Sequence, residues 1–317
     1  ARVRCGHLEE GSHAVSEAVV RVIHVAHVHV RLDAGWRDRL GFAVHRTSVP
    51  VVIRPALSEA SRLKLRGYLA ITAVCAVILL CDPIQRFLIV PSGWLFPSRR
   101  DRILVAWAQW LCWVVTAPLS WIGGASLPEP LKVPSGPGIL ILMNHQSLID
   151  IPLIVRCIDN GYPRIVTRRR YARWIPLISH VLKLYQFPLV DPAATAGQTR
   201  RMLRKLQESA RTSEVPFMIF PEGHRTRDGE IGPFMTTGLR LILRARPWRV
   251  YAFVVDGYSG YPKLSDFFAG LAKLEGRIEL VGEFDWPDPK GDHNAFATEI
   301  RQRMIDRLAE MRGASAA

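Results

Sequence analysis

Twenty consecutive residues, Ile103–Ile122, carry no charge and a single amide, Gln109. A helix rises about 1.5 Å per residue, so the run covers about 30 Å, the thickness of a bilayer's hydrocarbon core. Few folds accept such a segment. It lies in or across a membrane, or it is the buried core helix of a soluble protein. Trp107, Trp110, Trp113 and Trp121 stud the run, and tryptophan favours the boundary between lipid and water. An earlier apolar stretch, Tyr68–Val90, holds 15 uninterrupted residues over Gly67–Cys81 before Asp82, Pro83, Gln85 and Arg86 break it. Arg62, Lys64 and Arg66 precede the first stretch; Arg99, Arg100 and Arg102 precede the second. Basic side chains there would reach towards anionic headgroups. The pattern predicts a hairpin of two hydrophobic helices in or across one membrane, with charges on both flanks leaving its orientation open.

Composition narrows the alternatives. With 49% hydrophobic residues the chain can bury a large core, which excludes disorder as its dominant state. Five cysteines in 317 residues, without CxxC spacing, exclude a disulfide scaffold. Cys75, Cys81 and Cys112 lie in apolar runs as small hydrophobes, and Cys157 reads as a structural thiol. The net charge of +14 and pI of 10.1 call for an anionic partner. Combined with a mean hydropathy of +0.09, that charge points to a membrane before nucleic acid, for which no binding module is recognisable.

The chain starts at Ala1 and has no methionine before Met143, as expected of a fragment, a processed product or a reading frame extended upstream. Residues 1–55 lack a sustained period and read as a poorly ordered or non-native leader. His24, His27 and His29 within it have no acidic or cysteine partners at metal-ligand spacing, so no metal site is expected. The hairpin is expected over 56–125. Residues 126–317 then alternate between strands and helices, which implies an α/β domain with a largely parallel central sheet flanked by helices. Strands are expected over 138–143, 164–167, 185–190, 215–220, 250–255 and 277–281. Helices are expected after the first strand to about Cys157, over 196–209 and over 238–245. An amphipathic closing helix, 295–312, carries Phe296, Ile300, Met304, Leu308 and Met311 on one side.

In such sheets function gathers where strands end. Two strand ends stand out. The first reads Asn144-His145-Gln146-Ser147-Leu148-Ile149-Asp150. An imidazole with an ordinary pKa of about 6.5 can accept a proton near neutrality. Asp150 lies about 140° from His145 around a regular helix, so the two meet only if His145 sits on the turn and Asp150 in the first helical turn. The carboxylate would then fix the tautomer and steady the imidazolium, as in a Ser-His-Asp triad whose hydroxyl comes from the substrate. The competing reading is a capping box, in which Ser147 and Asp150 merely start the helix. The second strand end is Phe220-Pro221-Glu222-Gly223-His224-Arg225-Thr226. Gly223 lets backbone approach a ligand, and Arg225 offers a planar fork suited to phosphate oxygens. Arg168, Arg169, Arg170 and Arg173 form a third basic cluster, readable as a solvated face or a headgroup contact.

Together, Asn-His-x-x-x-x-Asp at 144–150 and Phe-Pro-Glu-Gly-x-Arg-Thr at 220–226 resemble the glycerolipid acyltransferase family, 1-acylglycerol-3-phosphate acyltransferases included. The resemblance covers about residues 135–285. It implies that His145 is the general base and Asp150 its orienting partner. Asn144, Glu222, Gly223, Arg225 and Thr226 become candidate substrate-binding residues around the acceptor phosphate. It further implies acyl-CoA or acyl carrier protein as donor and co-substrate, a lysophospholipid acceptor, membrane lipids as surroundings, no cofactor and no metal. The active site would face the cytoplasm at the cytoplasmic membrane. Two departures bear on the acceptor. Pro192, in Phe187-Pro-Leu-Val-Asp-Pro192, stands where relatives often carry an arginine, and Pro233-Phe-Met-Thr-Thr-Gly238 lacks a lysine common in relatives. Another acceptor, such as a lyso-aminolipid, or a non-catalytic lipid-binding role, are the alternatives.

Overall fold

The computed structural model describes residues 58–259, 261 and 264–313, and Glu59 onwards forms one unit. The expected leader and its histidines lie outside the described residues.

The first helix, α1 (Glu59–Leu95), runs for 37 residues. It continues through Asp82-Pro83, where the apolar run is interrupted. Pro83 removes one backbone donor, and a π-helical turn, Gln85–Ile89, follows directly before α-helical geometry resumes at Val90. The polar residues that looked like a break are in use. Asp82 Oδ2 pairs with Arg86 Nε at 2.9 Å, and its Oδ1 accepts from the Leu177 amide at 2.7 Å. A short 3₁₀ turn, Pro97–Arg99, leads into α2 (Arg100–Trp121), which packs back on α1. Gln85, fully buried, joins the two: the Trp107 indole donates to its Oε1 at 2.8 Å, while its Nε2 meets His180 Nδ1 at 2.8 Å. Outward, Leu79, Leu80, Phe87, Leu88, Trp94 and Trp121 are exposed. Both helices are long and apolar enough to cross a membrane by length and composition.

The domain that follows is α/β. In chain order it comprises β1 (Ile139–Met143), α3 (Asp150–Cys157), β2 (Arg164–Ile165), β3 (Thr167–Arg168), α4 (Ile178–Leu184), β4 (Leu189–Val190) and α5 (Ala196–Arg211). It continues with β5 (Phe217–Ile219), α6 (Thr236–Leu243), β6 (Trp248–Asp256), α7 (Leu264–Ala269), β7 (Arg277–Trp286) and α8 (His293–Gly313). Five strands form the main sheet in the order β2-β5-β1-β6-β7; all pairs are parallel except β6–β7. β3 and β4 make a separate two-stranded parallel pair.

Strand alternation sorts β1, apolar throughout, into two layers. Ile139, Ile141 and Met143 pack with α1, α2 and α3, while Leu140 and Leu142 pack with α5, α6 and α8. Each such side chain contributes about 1.5–3 kcal/mol on full burial. The closing helix buries Ile300, Met304, Leu308 and Met311 as expected, with Phe296 partly covered. The expected strand 185–190 shrinks to Leu189–Val190. Tyr185 instead closes α4 and donates its hydroxyl to the Leu104 carbonyl at 2.9 Å, and Gln186 takes a left-handed φ of 55° that breaks extension. The last strand runs on to Trp286 because its whole length pairs with β6. Helices α4 and α7 had no counterpart in the sequence reading.

Candidate active site

β1 and β5 are neighbours in parallel register, Leu142 opposite Ile219, so both motifs leave the sheet at the same end. Backbone hydrogen bonding continues past the strands. The His145 amide donates to Glu222 Oε1 at 3.1 Å, and the Thr226 amide donates to the His145 carbonyl at 2.8 Å. Segments about 75 residues apart in sequence thereby become one loop cluster.

His145 sits on the turn after β1, and Asp150 is the first residue of α3. Asp150 Oδ2 lies 2.8 Å from His145 Nδ1 and accepts the amides of Gln146 and Ser147 at 2.7 Å each. The carboxylate therefore orients the ring and ties down the turn that leads into α3, whereas the helix start itself, with Ile149 as N-cap, has no side-chain cap. The carboxylate is fully buried, and its Oδ1 has no partner. Phe220 stacks on the imidazole, with centroids 4.0 Å apart and planes 18° from parallel. Held along one edge and one face, the ring keeps 14% of its side-chain surface exposed, with no protein partner on Nε2 among the described residues.

The expected substrate contacts divide. Asn144 is fully buried, donating Nδ2 to the Val255 carbonyl at 2.9 Å and accepting the Val255 amide at 2.7 Å. It ties the end of β1 to β6 and cannot also touch a substrate. Glu222 is fully buried too, its Oε2 accepting the Gly232 amide at 3.2 Å. Burial pushes its carboxyl above the usual range, against the opposing pull of the Gly232 and His145 amides. Both residues support the site from beneath, buried and bonded to backbone groups of neighbouring segments. Gly223 has a φ of 70°, a left-handed conformation that glycine adopts without strain, and a Cβ there would meet Met235 Cγ at 3.0 Å.

Arg225 is exposed and lacks a partner among the described residues. It lines an open depression of about 510 Å³ together with His224, Thr226, Arg227 and Pro233. His145 does not line this depression; Thr226, one of its lining residues, is tied to His145, its amide and its hydroxyl both directed at the His145 carbonyl. Sequence reasoning underrated Arg168. Its Nη2 donates to the Gly223 carbonyl at 2.9 Å, which puts a guanidinium at the edge of the second motif. It also passed over Phe220 and Gln146, which sit inside the motifs without an assigned role. Cys157 is buried with its thiol pushed up to about 11, as suits a structural residue.

Residues 128–256 match the family model described as Acyltransferase. That stretch of the chain is similar to acyltransferases. A 1-acyl-sn-glycerol-3-phosphate acyltransferase from Cocos nucifera is 26% identical over 195 residues, 61% of this chain and 61% of that protein. The chain thus spans less than two thirds of that curated relative. Among solved structures, the 1-acyl-sn-glycerophosphate (LPA) acyltransferase from Thermotoga maritima superposes with a TM-score of 0.56. The match covers 78% of this chain and 95% of that one at 16% identity, a likeness of fold. The matched stretch contains both strand-end motifs and the parallel strands β1, β2, β5 and β6 of the sheet that joins them.

Proposed function

We propose that the protein is a membrane-bound O-acyltransferase. It transfers a fatty acyl group from acyl-CoA or acyl carrier protein to the hydroxyl of a lysophospholipid, foremost 1-acylglycerol-3-phosphate, in phospholipid biosynthesis. The observation that carries this reading is the 2.8 Å contact between His145 Nδ1 and a buried carboxylate, with the opposite ring nitrogen left for a substrate. In the reaction, His145 Nε2 takes the acceptor's hydroxyl proton as its oxygen attacks the thioester carbonyl. The tetrahedral intermediate collapses, the C–S bond breaks, and the departing thiolate recovers the proton from the imidazolium. Base catalysis of this kind contributes about 10²–10⁴-fold. Positioning of the two substrates supplies much of the remainder.

Two helices long and apolar enough to cross a membrane support a reaction at a lipid surface, in this reading the cytoplasmic membrane with the active site facing the cytoplasm. For the acceptor, Arg225 in the depression and Arg168 at Gly223 supply cations where Pro192 and Met235 supply none. Those two residues favour a second reading, an acceptor with a less anionic headgroup such as a lyso-aminolipid.

The test is thiol release from acyl-CoA by purified protein in detergent or vesicles, with a panel of lysolipids and mass spectrometry of the products. Release should depend on the lysolipid, and folded His145→Ala should lose it. If that variant stays within tenfold of wild type, the mechanism is wrong.

A further inference from the structure

A second buried carboxylate stands at the functional end of the sheet, unused by the proposed chemistry. Asp256 is the last residue of β6, 7% exposed. Burial pushes its carboxyl up, but hydrogen bonds from Arg312 and Gln146 outweigh this and hold it below the usual carboxylate range. Arg312, in the last turn of α8, spreads its fork over three partners. Nε donates to Asp256 Oδ2 at 3.1 Å, and Nη2 donates to Asp256 Oδ1 at 3.1 Å and to the Gly229 carbonyl at 3.0 Å. Nη1 reaches Glu230.

From the other side comes Gln146, the residue directly after His145. Its Nε2 donates to Asp256 Oδ1 and to the Gly229 carbonyl, each at 3.2 Å, while its Oε1 accepts the Tyr258 amide at 3.0 Å. Its own amide is one of those held by Asp150. A second arginine of α8, Arg301, donates to the carbonyls of Ile231 and Gly232 at 2.8 Å each. Gly232 in turn donates to Glu222. The closing helix thus grips the loop 229–232 at both ends, and through Asp256 and Gln146 it reaches the turn that carries His145.

We propose that Arg312, Asp256 and Gln146 are positioning residues: a network through which the C-terminal helix holds the His145–Asp150 turn and the acceptor-side loop in one geometry. The inference rests on the acyl-transfer reading for its kinetic consequences, though not for its mechanical ones. A planar fork is required, because a compact ammonium cannot bond Asp256 and the Gly229 carbonyl in the same fixed directions. Small misplacements of a base relative to a bound substrate cost up to about 10²-fold in rate.

The experiment uses the full chain with Arg312→Lys and Gln146→Ala; the second leaves the Asp256–Arg312 pair intact and keeps the test open if the first folds poorly. Two readouts are taken: lysolipid-dependent thiol release, split into kcat and acceptor KM, and amide hydrogen exchange by mass spectrometry. Expected are kcat/KM losses of about 10–100-fold in both variants. Exchange should rise together in segments 144–150 and 228–232, while β1 and β6 stay protected. Exchange that rises only in the last turn of α8, with kinetics unchanged, overturns the proposal. A wild-type protein that acylates no lysolipid, combined with the coupled rise in exchange, refutes the acyl-transfer reading and leaves the positioning network standing.

Discussion

Replacing Asp150 by asparagine separates the two jobs of that carboxylate. Oδ2 faces three donors: the Gln146 amide, the Ser147 amide and His145 Nδ1. An asparagine NH₂ in that place would oppose two fixed backbone N–H groups, so the amide must turn its carbonyl oxygen there. The ring therefore keeps its hydrogen-bond acceptor and its tautomer, and only the negative charge is lost. Hydrogen bonds to a charged group contribute about 1.5–3 kcal/mol against about 1 kcal/mol for neutral pairs. Losing that excess opposite the imidazolium formed in the transition state costs about 0.5–2 kcal/mol, roughly 2- to 30-fold in kcat. The NH₂ then occupies the position of Oδ1, which has no partner, so a buried donor is left unpaired at about 1–3 kcal/mol of stability. Asp150→Asn should thus be measurably less stable, yet more active than His145→Ala, in which the base itself is gone. The assay is lysolipid-dependent thiol release at saturating donor, paired with thermal unfolding of each variant. A loss equal to that of His145→Ala would mean that the backbone donors fail to orient the amide. A loss under twofold would mean that Asp150 only secures the turn before α3.

Arg225→Ala should raise the KM for a phosphate-bearing lysolipid by about 10- to 100-fold through loss of charge-assisted hydrogen bonds, with the donor KM unchanged; equal losses on a phosphate-free lysolipid would make the arginine structural. The depressed carboxyl of Asp256 sets a pH dependence of stability. A carboxylate held below its unfolded pKa stabilises the fold above that value and ceases to do so as pH falls through the folded one. Thermal stability should therefore drop as pH falls below the ordinary aspartate range of about 4, and Asp256→Asn should flatten that slope; an unchanged slope would remove Asp256 from the pH response.

What the sequence discloses is governed by distance along the chain. The hairpin and the all-buried β1 were legible because apolar runs and their period follow from neighbouring residues. His145 and Asp150 were legible for the same reason: five residues separate them, and their contact needs only a turn followed by a helix start. The convergence of 144–150 with 220–226 was readable as a pair of strand ends, although the adjacency of β1 and β5 appears only in the sheet order. The failures are long-range partnerships. Asp82 and Pro83 read only as an interruption of the apolar run, since nothing local announces that a π turn follows or that Asp82 receives the Leu177 amide. Tyr185 looked like a strand residue, and only its contact with Leu104, 81 residues away, turns it inward.

Asn144 and Glu222 show how a correct motif misleads about roles. Both stand at strand ends, where substrate contacts are sought, and both are polar in an apolar context. A buried polar group must satisfy its own hydrogen bonds, and these two do so entirely with backbone amides and carbonyls of neighbouring strands and loops. Their side chains are the joints that keep His145 and the Gly223 turn in register, while one edge of His145 and the Arg225 side chain stay open to solvent. A polar residue at a strand end is thus free for chemistry only where the sheet has not already claimed its donors and acceptors. Burial decides between the two, and it cannot be read from residue type.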